Sequence, residues 1–496
     1  MRKYKITNAS SLNKYLASVR NPVFGIGTRP YNFTIGTYKL LKNFEILACR
    51  KIGAERHLLE KKIKVTFLDN SERGSRSIEN YRTYASLTPS DLLSSKRIIK
   101  YLDSFSKRPI LLFNQMPKRL ESVLQNLECK GYTMVSSGHR MFSKYENKIN
   151  FQKLLDRLKI DSLGYAFLNG KELSYKKAVK KVGKEFVIQI SDEAFQGGTF
   201  FVRSREDFEK IKNNSAVKKA IANNFHLKVS RLADREASPS MTVCVTNFGI
   251  VNTGLQKQII DAREVTNSER SGVFCGHDWT SSIFTRKIER EASQIAKKIG
   301  KYFKEKENFR GIFGIDFILE RKTNRLYPIE ANVRLLGSFP ILSMVQYSAR
   351  QPLIQGIQIL ESLGNSDYIL DTEALNSLLA KPKIGAHLNL YSKHPGFSVI
   401  SGNIRPGIYK INQKTETVSF LREGIFFEDL KRDNEILVTS GVPKKGQVYG
   451  KNKNLCKIVS RNTFLDKNGE LNKFSKTMIN YIYKKLDLKS VRTNSQ

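Results

Sequence analysis

The sequence predicts a chain of mixed class: an α/β domain with a parallel sheet, then an α+β region, then a β-rich region closed by a helix. Three observations carry this. In residues 1–146 short apolar runs alternate with helical stretches, the pattern of strand, crossover helix and parallel strand. In residues 185–330 apolar runs are joined by turns such as Asn247-Phe248-Gly249, the mark of antiparallel hairpins. Beyond Pro382, Gly and Pro punctuate apolar runs at 386–391, 407–411 and 435–439, and a last helical stretch covers 471–486. A chain of 496 residues has room for three domains.

Composition narrows the function classes. Hydrophobic content of 40% supports packed cores. The five cysteines are scattered and never form a C-x-x-C pair, so neither a disulfide framework nor a zinc knuckle is signalled. No apolar run approaches the ~18 residues of a membrane span, and the first 20 residues lack the apolar core of a signal peptide. A cytoplasmic protein without a membrane partner is expected. The net charge of +39 permits contact with nucleic acid. The Lys and Arg residues are spread along the chain without a basic tail or a nucleic-acid signature, so a nucleic-acid surface is the alternative and not the main reading.

In the first domain, 22–27, 44–49, 65–68 and 109–113 read as buried strands. Helices are expected at 89–105 and at 117–130, the second ended by Gly131. The Gly25-Ile26-Gly27-Thr28-Arg29-Pro30 stretch lacks a third glycine, and Pro30 breaks the helix that a dinucleotide fingerprint needs. Residues 149–158 follow a helical period, with Lys148 at the start. Strands follow at 185–190, at 199–202 after Gly197-Gly198, at 226–232, and in a hairpin of 241–246 with 250–253. Lys257 is a candidate to face a phosphate or an acyl group. Cys275 and His277 lack a third group to orient a triad, and Asp278 is read as a cap for the helix at 285–304, whose Ile288, Ala292, Ile295, Ile299 and Phe303 share one face.

The segment 309–338 carries the chemistry. Its two apolar strands, 312–319 and 326–330, hold one carboxylate each, Asp316 and Glu330, across a charged turn. A dry, unpaired carboxylate costs several kcal/mol, and two facing the same way raise each other's pKa. A divalent cation removes both problems. Glu330 and Asn332 are two apart on an extended segment and share a face, so Asp316, Glu330 and Asn332 form a hard-oxygen set suited to Mg²⁺ or Mn²⁺. Arg334 continues that face and can hold an anion by bidentate bonds.

The run Gly314-Ile315-Asp316-Phe317-Ile318, then a hairpin, then Tyr327-Pro328-Ile329-Glu330-Ala331-Asn332-Val333-Arg334 and Gly337-Ser338, resembles the metal-binding half of the ATP-grasp superfamily. The resemblance implies an ATP-grasp domain at 147–363, with lobes of about 148–225 and 226–360. It also implies a Rossmann-like pre-ATP-grasp domain at 1–146 and a β-rich domain at 381–496. It implies an ATP- and Mg²⁺-dependent ligase that makes an acyl phosphate from a small carboxylate and joins it to an amine. In that reading Asp316, Glu330 and Asn332 hold the metal, and Arg334 and Lys257 stabilise anionic intermediates. Lys148 reaches the ATP phosphates, and Gly197-Gly198 folds over them. Gln189 stands where such enzymes often have a lysine, and Val229 where they have an acid. Adenine is then read by backbone groups of Val229, Ser230, Arg231 and Leu232, with Asp234, Glu236 and Ser240 as ribose candidates. A non-catalytic nucleotide-binding relative is the alternative that Gln189 and Val229 raise.

Overall fold

The computed structural model describes residues 3–30, 37–51, 55–68, 77–114, 121–191, 198–267, 272–364 and 367–491. Its first sheet has five parallel strands in the order Lys64–Phe67, Phe44–Ala48, Val23–Gly27, Ile110–Phe113 and Thr133–Val135. The three inner strands are apolar runs buried on both faces, as parallel sheets require, while the edge strands Lys64–Phe67 and Thr133–Val135 are partly exposed. The helix expected at 89–105 is two helices, Pro89–Leu93 and Lys96–Asp103. Ser94 ends the first as its C-cap and Ser95, in an extended conformation, begins the second. The second expected helix is seen over Glu121–Cys129. Gly131 follows it at φ +83°, a left-handed position that suits glycine. Tyr4–Ile6 leaves this sheet and pairs in parallel with Tyr368–Leu370.

A small antiparallel sheet follows, ordered Tyr165–Asn169, His226–Arg231, Phe186–Ile190, Thr199–Val202. Its core is its own, built on residues such as Ile188, Leu227 and Val229. The strand His226–Arg231, which the sequence reading puts at the start of the second lobe, lies in this sheet between Tyr165–Asn169 and Phe186–Ile190.

The central sheet has 12 strands. Pro239–Thr246 lies beside Gly311–Glu320, which is hairpinned to Arg325–Asn332. The helix Arg286–Lys306 covers this region with Ile288, Ala292, Ile295, Ile299 and Phe303 buried on one face. On the other side the sheet continues through Gln256–Ile260, Phe274–Asp278 and Ala386–Tyr391 into Asn454–Ser460, Glu435–Thr439, Gly407–Asn412 and Thr417–Arg422. The β-rich third region expected from 381 onward is thus no separate sheet. Its first strand pairs directly with Phe274–Asp278, with Gly276 opposite Leu388. The closing helix is Lys473–Leu486.

Asp278 shows how this junction is held. It does not cap the helix expected to follow it. That cap is Thr285, whose side chain accepts from the Ile288 N–H. Asp278 is fully buried. Its Oδ1 accepts from Ser281 N at 2.9 Å, and its Oδ2 from Thr463 Oγ1 at 2.7 Å and Phe464 N at 2.8 Å. Three bonds satisfy one buried carboxylate and fasten the third region to the central one. Asp278→Ala leaves buried donors without acceptors. It is expected to cost about 3 kcal/mol, read as a lowered midpoint in denaturant unfolding.

Candidate active site

Between the small sheet and the central sheet lies a cleft of about 980 Å³. Lys148, Gln189, Arg231, Leu232, Asp234, Gln258, His277, Asp316, Glu330, Asn332 and Arg334 all line it. Its floor is the carboxylate hairpin. The ladder sets Asp316 directly opposite Glu330, and a bulge follows between Asp316 and Phe317. Such bulges re-aim side chains next to functional sites. Asn332, opposite Gly314 in the regular part of the ladder, is the diagonal neighbour of Asp316 on the same face and reaches it. Its Nδ2 donates to Asp316 Oδ2 at 2.8 Å. Its Oδ1 accepts from Arg334 Nη2 at 2.8 Å.

The electrostatics follow from burial. Desolvation raises the Asp316 pKa, and the Glu330 charge raises it further. Arg334 and the amide bonds from Asn332 and Gln258 oppose them. Glu330 is held by Lys148, whose Nζ lies 2.5 Å from Oε1. Lys148 is itself buried, at the first position of the helix Lys148–Arg157, with Asn147 as its cap. Arg334 pairs with Glu146 at 3.0 Å. Burial pushes the Glu146 carboxyl up to about 7, against the pull of Arg334.

The donor set suits a hard cation. Two carboxylates and the Asn332 amide lie together, and a positive ion there offsets the repulsion that raises Asp316. Among the described residues no three His, Cys, Asp or Glu side chains group as metal ligands. Asn332 would supply a third protein oxygen beside the two carboxylates; here its amide nitrogen is the atom that faces Asp316. The residues fit Mg²⁺ in this sense.

Other expected residues are placed differently. Lys257 is outside the cleft and lines a neighbouring groove with Asp261 and Arg263. Strand alternation sends its neighbour Gln258 inward instead, to donate to Asp316 Oδ1 at 2.8 Å. Val229 turns its side chain into the small-sheet core. The backbone N–H groups of Arg231 and Leu232 are already bonded, to Gly164 O at 2.8 Å and Glu185 O at 3.0 Å. Neither of those donors is available to adenine in this arrangement. Ser230 is buried on the opposite face from Val229. Arg231 reaches Glu320 at 2.5 Å. Of the ribose candidates, Asp234 lines the cleft. Ser240 is fully buried, 3.1 Å from His277 Nε2. Gly198 accepts from the Ile190 N–H at 2.8 Å, while Gly197 lies outside the described residues.

The sequence reading assigned no role to Glu146 or Gln258, and it set His277 aside. Glu146 stands beside Lys148 in a polar cap segment, where an acid is ordinary. Gln258 depended on the parity of one short strand. His277 is neutral, because burial and the charge of Lys457 lower its pKa to about 3. Burial raises the Cys275 thiol to about 12, which disfavours the thiolate a nucleophile needs.

No protein-family model matches the chain. A carbamoyl phosphate synthase large chain from Sulfurisphaera tokodaii is 25% identical over 232 residues, covering 45% of this chain and 20% of that protein. This chain thus matches only a fifth of that relative's length. Among solved structures, the biotin carboxylase of Campylobacter jejuni, in complex with an ATP analogue, aligns at a TM-score of 0.56 and 12% identity. It covers 95% of this chain and 92% of that one. The biotin carboxylase domain of the Hydrogenobacter thermophilus 2-oxoglutarate carboxylase, with MgADP and bicarbonate, gives 0.54 and 13%, covering 89% and 86%. Phosphoribosylamine–glycine ligase of Thermotoga maritima gives 0.53 and 11%, covering 94% and 97%. The fold of this chain is therefore the ATP-grasp fold, which the carboxylate hairpin resembled in sequence.

Proposed function

We propose that this protein is an ATP- and Mg²⁺-dependent ligase that activates a small carboxylate as an acyl phosphate and joins it to an amine or similar nucleophile. The observation that carries the reading is the directly opposed Asp316–Glu330 pair, with Asn332 and Arg334 beside it, on the floor of a cleft between two antiparallel sheets. The carbamoyl phosphate synthase relative and the ligase and carboxylase structures support it. Asp316, Glu330 and Asn332 would hold the magnesium ion, which when bound neutralises phosphate charge.

The chain's own groups do the rest. Lys148 at the head of its helix leaves Glu330 for a phosphate oxygen, a charge-assisted bond of the stronger kind. A substrate carboxylate oxygen attacks the γ-phosphorus, the bond to the β-phosphate oxygen breaks, and ADP leaves. The amine nitrogen then attacks the acyl carbon. The bond to the phosphate oxygen breaks and the nitrogen loses a proton. Arg334, tethered by Glu146 and Asn332, is placed to hold the anionic oxygens of both steps. The small sheet over the cleft limits water attack on the acyl phosphate.

ADP release is the test. The full chain is given MgATP with panels of small carboxylates and amines. Release that needs one member of each panel supports the reading, and tight MgATP binding without release under any pair supports a non-catalytic relative. Lys148→Met is expected to weaken ATP about 10- to 100-fold, with adenosine affinity unchanged.

Among the described residues no helix is long and apolar enough to cross a membrane. We keep the three-part division of the chain as a proposal, with the strand His226–Arg231 assigned to the first lobe.

A further inference from the structure

The strand His226–Arg231 carries a lysine that its own sheet does not use. Leu227 and Val229 enter the small-sheet core. By alternation Lys228 faces the other side. The register sets Phe167, Lys228, Gln189 and Thr199 in one row across that side. Gln189 and Thr199 line the cleft. Lys228 is 5% exposed.

Among the described residues the Lys228 ammonium has no hydrogen-bond or ion-pair partner. The nearby acids are occupied. Glu330 is paired with Lys148. Asp156 accepts from Gln152 at 3.1 Å and from Tyr165 Oη. Burial, and then the charge of Lys148, lower the lysine's pKa to about 8. A buried cation without a counter-ion costs several kcal/mol. An apolar residue would fill the position without that cost. Lys228 lies behind the cleft wall that Gln189 and Thr199 form, close enough to feel the charge of Lys148, which does line the cleft; two ammonium groups so placed call for a ligand carrying more than one negative charge.

We propose that Lys228 binds the polyphosphate of the nucleotide together with Lys148, and so supplies from its own strand the charge that Gln189 lacks. The proposal rests on the reading of the cleft as a nucleotide site. Its geometry is specific: Lys228 and Gln189 are directly opposed across the ladder. Side chains so placed start about 5 Å apart and reach the same space. A lysine on either strand can therefore do the same work.

The test uses the full chain and calorimetric titration with MgADP and with adenosine. Lys228→Met is expected to weaken MgADP about 10- to 100-fold, with adenosine within about twofold of the wild type. Adding Gln189→Lys to that variant is expected to recover at least about tenfold. Without nucleotide, Lys228→Met is expected to melt no lower than the wild type, because it removes an unpaired buried charge. Unchanged MgADP affinity overturns the proposal. So does equal loss for both ligands, or a double variant without recovery. A wild-type chain that binds neither ligand overturns the nucleotide reading itself, which is a different failure.

Discussion

Replacing Asp316 by Asn, or Glu330 by Gln, is expected to lower turnover about 10³-fold and to remove the magnesium dependence of nucleotide binding. The reasoning starts from the free protein. Asp316 and Glu330 face each other across one rung of the ladder, and the charge of Glu330 is among the causes that raise the Asp316 pKa. A divalent cation favours the charged form of Asp316. With an amide at either position the site keeps its shape and loses one of its two charges. Asp316→Asn is then expected to leave the free protein as stable as the wild type, or more so, since the repulsion from Glu330 is relieved, whereas Glu330→Gln leaves the buried Lys148 without its carboxylate and is expected to lower stability. At Asp316 activity and stability should move in opposite directions. A structural carboxylate would make them fall together. Turnover and calorimetry with and without magnesium, beside a melting curve, separate the two.

The second large effect lies in the fold. Gly276 sits where the central sheet meets its carboxy-terminal extension. A Cβ built there lies 1.9 Å from the His387 carbonyl oxygen and 3.1 Å from the Leu388 Cα. Both obstacles are backbone, and rotamer changes cannot clear them. Gly276→Ala is expected to force Phe274–Asp278 away from Ala386–Tyr391 and break the continuity of the sheet. The cost is expected to be at least about 4 kcal/mol. Denaturant unfolding checks it. A loss below about 1 kcal/mol would mean that the strands separate easily, and that the junction is not a stiff part of the core.

Much of the fold was legible because local pattern and global structure agree. The strands of the parallel sheet are short apolar runs with polar exits. The helix Arg286–Lys306 shows its buried face as a period in the sequence. The carboxylate hairpin was legible for a sharper reason: charged side chains in an apolar ladder need an explanation, and spacing limits what it can be. Three things were not legible. The break at Ser94-Ser95 is a matter of local bonds that the apolar period overrides. The pairing of Phe274–Asp278 with Ala386–Tyr391 joins residues more than a hundred positions apart, and no local signal announces it. The direction of a side chain on a short strand depends on register, and this is why Lys257 was expected where Gln258 stands. Lys228 was visible as a lysine between Leu227 and Val229, but only the ladder shows that it shares a face with Gln189.

The central claim is that Asp316, Glu330 and Asn332 hold a divalent cation together with a nucleotide. Calorimetric titration of the full chain with a non-hydrolysable ATP analogue, with magnesium and then with EDTA, tests it most directly. Binding is expected to be at least about tenfold tighter with magnesium, a gain within the range of charge-assisted bonds to phosphate. Equal affinity in the two conditions, or no binding in either, would contradict it.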